Sequence, residues 1–157
     1  MLLDIILIIL LLGFVGQGWK DGFVFTAGRV VGAVLGFILA RTWSLSIAFI
    51  FQILLPEGWA RFVAFVVVFV VVNRLVGWVF KLAEAAFKII SIIPFLKSIN
   101  NLLGAILGIF EGFIILGGII WVIENFDIWA QLNAWIAGSH IAPFISHVFQ
   151  LLLGVLL

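Results

Sequence analysis

Three ionisable side chains stand inside long apolar stretches of this sequence. They are Arg29, Arg74 and Glu111. If lipid surrounds these stretches, each charge costs about 2.5 to 3.5 kcal/mol at the bilayer centre, so each needs a physical reason to be there. The two arginines are placed about two turns from an end of their stretches and can snorkel to the headgroups. Glu111 lies near the middle, so we expect it to be protonated, paired, or exposed to a wet cavity.

A second group of polar side chains lies in the last apolar segment. His140, Ser146, His147 and Gln150 recur at helical spacing on one side of residues 141–157. This segment is therefore expected to lie on the membrane, or to turn its polar side toward other helices or a wet cavity, and a fifth crossing stays open. The two histidines are seven residues apart, about 10.5 Å along a helix, which is too far to share one metal ion. We predict no metal site.

Other catalytic patterns are missing from the sequence. It contains no HExxH, no GxSxG, no phosphate-binding glycine loop and no paired carboxylates, and it has no cysteine. The net charge is +1, and the basic residues form no patch that would bind nucleic acid. We therefore expect neither an enzyme, nor a cofactor, nor a nucleic-acid partner.

The composition identifies the solvent around these residues as lipid. Hydrophobic residues make up 66% of the 157, and only 10% are charged. An average soluble domain has about 25% charged residues, so a water-facing surface cannot be built from this chain. The first apolar stretch lacks a basic segment before it and a cleavage site after it, so we expect it to be kept as a span.

Four stretches are long and apolar enough to be membrane spans, which need about 17 to 25 residues. Five of the seven tryptophans fall near their ends, as expected for indole rings at the headgroup level. The prediction is an all-α integral membrane protein in one membrane domain, with four transmembrane helices as two hairpins plus interfacial amphipathic helices. The predicted spans are about 2–18, 23–41, 60–80 and 101–122, and the predicted interfacial helices are about 44–55, 81–97 and 124–157.

Basic residues near the span ends predict the orientation of the chain. The loops after the first and third spans share one side, which carries Lys20, Arg74, Lys81, Lys88 and Lys97. The other side has only Arg41 and Arg61. Because positive residues stay on the cytoplasmic side, both termini are expected outside the cytoplasm.

Glycine spacing predicts how the helices pack. The second span holds Gly28, Gly32 and Gly36, and the fourth holds Gly104, Gly108 and Gly112. Each set forms a flat groove that lets another backbone come close, which is the main way helices associate in lipid. The sequences at 32–36 and 104–108 also match, so the two halves are interpreted as related, parallel hairpins. The packing is expected within one chain or between copies of it.

Several of these segments resemble the colicin V production protein family. They are Asp4 before an Ile/Leu run, the residues 18–24, the stretch 32–40, and the stretch 101–108 followed by Gly112. The resemblance covers nearly the whole chain. It implies a multi-pass protein of the bacterial inner membrane with four spans, associated with colicin V production and envelope maintenance.

Two functions stay open at this point. The first is a non-enzymatic protein that supports toxin production, export or envelope integrity through contacts with lipid and with other membrane proteins or copies of itself. The alternative is an oligomeric pore or small transporter in which Glu111 and the polar side at His140, His147 and Gln150 line a wet path.

Overall fold

The computed structural model describes the backbone of residues 2–87, 94–126 and 130–156, and the side chains of 2–82, 97–126 and 130–154. Five helices make up this part of the chain, and it contains no strand. They are α1 (Leu2–Phe51), α2 (Glu57–Phe87), α3 (Pro94–Phe126), α4 (Ala130–Ala137) and α5 (Ala142–Leu156).

Helix α1 is broken at Gly22 into two arms, residues 2–21 and 23–51. An unbroken helix of 50 residues would be about 75 Å long, more than twice the thickness of a bilayer core. Gly22 has φ +79° and ψ 177°, a conformation that glycine adopts without the strain of a side chain. The N–H of Phe23 donates to Oδ1 of Asn100 at 3.1 Å and ties the break to α3.

The two arms of α1 run in opposite directions along α3. In the first arm, Gly18 packs on Gly104, while the earlier Leu11 packs on the later Gly112. In the second arm the order is parallel, because Arg29 reaches Glu111 and the later Phe37 reaches Trp121. The break at Gly22 is therefore a reversal of the chain.

Prolines mark two of the helix starts. Pro56 follows the turn at residues 52–55, and its carbonyl accepts the N–H of Ala60 at the start of α2. Pro94 is the first residue of α3, a position where its missing N–H has no helical partner to lose.

The second arm of α1 lies at the centre of the fold. Helices α2 and α3 both pack extensively on α1 but have few contacts with each other. Phe37 is the central core residue, with ring centroids 5.6 Å from Phe65, 5.1 Å from Trp121 and 4.9 Å from Phe149. A second cluster joins the first arm, α3, α4 and α5 through Leu7, Leu116, Ile120, Ile136, Ala142 and Ile145.

Three of the described helices are long and apolar enough to cross a membrane: α1, residues 57–82 of α2, and residues 97–126 of α3. The pair α4 and α5 adds a fourth candidate if it is one broken span, bent by 96°. An all-α membrane protein follows from this pattern. The predicted spans 2–18 and 23–41 lie in the two arms of α1, 60–80 lies in α2, and 101–122 lies in α3.

The predicted interfacial segments fall partly within the longer helices α1, α2 and α3. Residues 44–51 continue α1 without a break, and residues 81–87 continue α2. Residues 88–93 of the predicted 81–97 segment lie outside the described residues. The 124–157 segment contains the end of α3 and the two helices α4 and α5.

Candidate functional site

A buried ion cluster joins the two arms of α1 to α3. Nη1 of Arg29 lies 2.5 Å from Oδ2 of Asp21, and Nη2 lies 3.0 Å from Oε2 of Glu111. The side chains are 18% exposed for Arg29, 31% for Asp21 and 7% for Glu111. One guanidinium therefore pairs with two carboxylates, of which Glu111 is the more deeply buried.

The reversal at Gly22 creates this cluster. Asp21 and Arg29 are eight residues apart and would be about 12 Å apart along a straight helix. Because the chain turns back between them, their side chains meet. Arg29, for which the sequence favours snorkelling, points instead to the two carboxylates, and its Cζ lies 5.5 Å from the centroid of the Phe25 ring.

Arg74, the third ionisable residue inside a stretch, is placed differently. It is exposed on α2, beside Leu75 and one turn from Val71 and Trp78, which are exposed as well. Within the described ranges no carboxylate lies within ion-pair distance of it. The outer face of α2, which we define by Val70, Val71, Arg74, Leu75 and Trp78, thus carries an uncompensated cation.

The two glycine sets contact neighbouring helices of the same chain. Gly28, Gly32 and Gly36 face Phe80, Asn73 and Phe69 of α2. Gly104, Gly108 and Gly112 face the first arm of α1 at Gly18, Phe14 and Leu11. A Cβ atom added at Gly104 would overlap the carbonyl oxygen of Gly18, so the two backbones are nearly in contact there.

The polar side of the C-terminal segment opens on a cavity of about 580 Å³. Ser146, His147 and Gln150 line it together with Glu124 and Asn133. Nε2 of Gln150 donates to Oγ of Ser146 at 3.4 Å. His140 and Glu111 are not among its lining residues, so the structure does not bring Glu111 to the polar C-terminal side.

His140 belongs instead to a cap at the start of α5. Oδ1 of Asp4 accepts hydrogen bonds from Oγ of Ser139 at 2.6 Å, from the N–H of His140 at 2.9 Å and from the N–H of Ile141 at 3.1 Å. Oγ of Ser139 in turn accepts the N–H of Ala142 at 3.0 Å. Free N–H groups and the positive end of the helix dipole favour a carboxylate here, so Asp4 anchors α5.

Removing this carboxylate is expected to loosen the start of α5. We predict that Asp4→Ala destabilises the capped segment, because the N–H groups of His140 and Ile141 lose their acceptor. Amide hydrogen exchange of residues 140–146 in detergent micelles measures it. The control Asp4→Asn keeps an acceptor oxygen and should protect these amides better than alanine does. Equal exchange in wild type and Asp4→Ala would contradict the role of Asp4.

In the part of the chain that the structure describes, no group of three or more His, Cys, Asp or Glu side chains lies close enough to hold a metal ion.

The long apolar helices indicate a multi-pass helical membrane protein. Comparison with known families makes the assignment more specific, because residues 3–150 match the family described as colicin V production protein. The match covers nearly the whole sequence, so the chain belongs to the colicin V production protein family. This membership supports a membrane role in colicin V production. No curated protein and no solved structure is a significant match.

Proposed function

We propose that this protein works in the bacterial inner membrane as a docking subunit that supports colicin V export or envelope integrity by binding other membrane proteins. It catalyses no reaction in this proposal. The outer face of α2 is the docking surface, and Arg74 is its polar anchor. The observation that carries the proposal is the contrast between Arg29, which is paired inside the fold, and Arg74, which is exposed within an apolar helix.

The proposed topology has four spans in two hairpins. The reversal at Gly22 supports two crossings for α1, since the arms run in opposite directions along α3 and each is long enough to span much of the bilayer. Helices α2 and α3 supply the other two. The bias of basic residues supports an orientation with both termini in the periplasm.

The uncompensated charge of Arg74 supports a polar partner group. A guanidinium within a span costs about 2.5 to 3.5 kcal/mol on insertion scales, and a carboxylate or carbonyl group on a partner helix would offset part of that cost. The neighbouring valines, Leu75 and Trp78 offer an apolar surface for van der Waals packing around it.

The glycine sets do not offer such a surface, because helices of the same chain already occupy both. The pore alternative has less support than docking, because Glu111 is paired with Arg29 and does not line the cavity beside His147 and Gln150.

Photo-crosslinking in native membranes tests the docking surface. A photoreactive residue at Val71 or Trp78 should form adducts with other membrane proteins, and Arg74→Gln should reduce their yield by about five-fold or more, with a matching loss of colicin V secretion. The charge-conserving Arg74→Lys should keep most of both. The residue Ile9, exposed on the first arm of α1, is the control position on a different helix.

Two outcomes would count against this function. Adducts of equal yield in wild type and Arg74→Gln would remove Arg74 from the interface. Adducts that contain only copies of this chain would show that this face binds a second copy and not another protein.

A further inference from the structure

An apolar cleft opens between α2 and α3, on the side of α1 that carries Phe37. It exists because the backbones of α2 and α3 both pack on α1 and stay apart from each other, while the rings of Phe62 and Phe65 reach Trp121 and Phe126. Its volume is about 330 Å³, and every side chain that lines it is apolar. Ala33 and Phe37 form its floor, Phe65 and Val66 line the α2 wall, and Ile114 and Ile123 mark the two ends of the α3 wall.

The length of the cleft fits a hydrocarbon chain. From Ile114 to Ile123 it extends about 14 Å along α3, close to the depth of one leaflet of a hydrocarbon core about 30 Å thick. A single extended acyl chain is thin enough to lie in it.

A cation stands near one end of this cleft. Arg41 lies one turn from Phe37, and a second cavity of about 340 Å³, lined by Phe37, Ile38, Arg41 and Thr42, shares Phe37 with the cleft. The guanidinium carbon of Arg41 lies 5.6 Å from the centroid of the Trp121 ring, which holds the charge over the end of the cleft.

Arg41 and Arg61 differ in whether a carboxylate compensates their charge. Arg61 forms an ion pair with Glu57 one turn before it, so its charge has a partner. Arg41 is exposed, and among the residues with described side chains no carboxylate lies within ion-pair distance of it. A molecule with an anionic group at the end of an apolar chain would fit both cavities, with the chain in the cleft and the anionic group beside Arg41.

We propose that the cleft binds one acyl chain of a phospholipid whose phosphate lies against the Arg41 guanidinium. The hydrocarbon fills the space between α2 and α3, and the phosphate accepts hydrogen bonds from Arg41 at the headgroup level. This site is independent of docking at Arg74, and it makes a bound lipid part of the contact between α2 and the rest of the fold.

Native mass spectrometry of the full chain with added phosphatidylglycerol tests the site. The wild type should retain one lipid at collision energies that strip other lipids. Arg41→Gln should lower the retained fraction about five-fold, the effect expected for one basic residue at an anionic headgroup. Arg61→Gln, which removes the same charge nearby, should stay within two-fold of the wild type. Equal retention in both variants, or none in the wild type, would overturn the proposal.

A second pair of variants tests the acyl chain. Val66 lines the cleft, whereas its neighbour Val67 does not, and both are about 40% exposed. Val66→Trp should fill the space and abolish retention, while Val67→Trp should preserve it. Unchanged retention in Val66→Trp would show that the lipid does not occupy the cleft and would overturn the proposal. Efficient disulfide formation between two copies carrying Ile119→Cys in the lipid-loaded state would show a second copy at the cleft and also overturn the proposal.

Discussion

Replacing Arg29 with leucine is expected to lower the free energy of unfolding by about 3–5 kcal/mol, the usual cost of breaking a buried ion pair by removing one partner. The Glu111 carboxylate, with a side chain only 7% exposed, would then be left inside the helix bundle without its cation. Denaturant unfolding in detergent micelles measures the loss. We expect this loss of unfolding free energy to exceed the loss caused by breaking the Arg61–Glu57 pair.

Two further variants make this prediction specific. The double variant Arg29→Leu/Glu111→Leu removes the buried pair and leaves only Asp21, which is 31% exposed and can stay hydrated, so it should recover most of the stability. Arg61→Leu breaks the exposed pair with Glu57, whose side chains are 45% and 65% exposed, and should cost no more than about 1 kcal/mol. If Arg29→Leu were as mild as Arg61→Leu, the cluster would have no structural role.

Alanine at Gly104 is expected to force α3 away from the first arm of α1. The added Cβ would overlap the carbonyl oxygen of Gly18, a backbone atom that cannot move without its helix. We predict a cost at the upper end of the about 1–3 kcal/mol that overpacking causes, and a larger one for leucine. Gly18→Ala should behave in the same way, since its Cβ would overlap the carbonyl of Gly104.

The chain offers a matched control for each glycine. Gly13 in the first arm and Gly77 in α2 have no heavy atom within 4 Å of an added Cβ. Alanine at either should be neutral or slightly stabilising, since alanine favours the helix over glycine by up to about 1 kcal/mol. Thermal unfolding of the four single variants in one detergent distinguishes packing from propensity. Equal shifts at Gly104 and Gly77 would contradict close backbone packing.

Hydropathy predicts much of this fold because lipid leaves the backbone few options. Each polar backbone group must be satisfied within its own segment, so long apolar stretches become helices, and the four predicted stretches all lie inside α1, α2 or α3. Helix ends are harder to predict. The apolar run at residues 47–55 is too short to span on its own, and its composition does not tell an interfacial helix from the extension of a span, which is what residues 44–51 form.

The ionisable sites were only partly visible in the sequence. An isolated arginine or glutamate in an apolar run is easy to find, and Arg29 and Glu111 do occupy one cluster. Asp21 was missed as their partner because nothing but the positive φ of Gly22 brings it back beside Arg29. Asp4 was missed as the cap of α5 because its contact with Ser139 joins residues 135 positions apart, and no local pattern encodes it.

The hydrogen bond from Phe23 to Asn100 has a consequence for biogenesis. The ribosome must synthesise 77 more residues after Phe23 before this acceptor exists. Until α3 has been synthesised, the two arms of α1 lack both the Asn100 side chain that fixes their turn and Glu111, one of the two carboxylates that pair with Arg29. The turn at Gly22 can therefore be fixed only after α3 has been synthesised, so the packing of the two arms of α1 is completed late in synthesis.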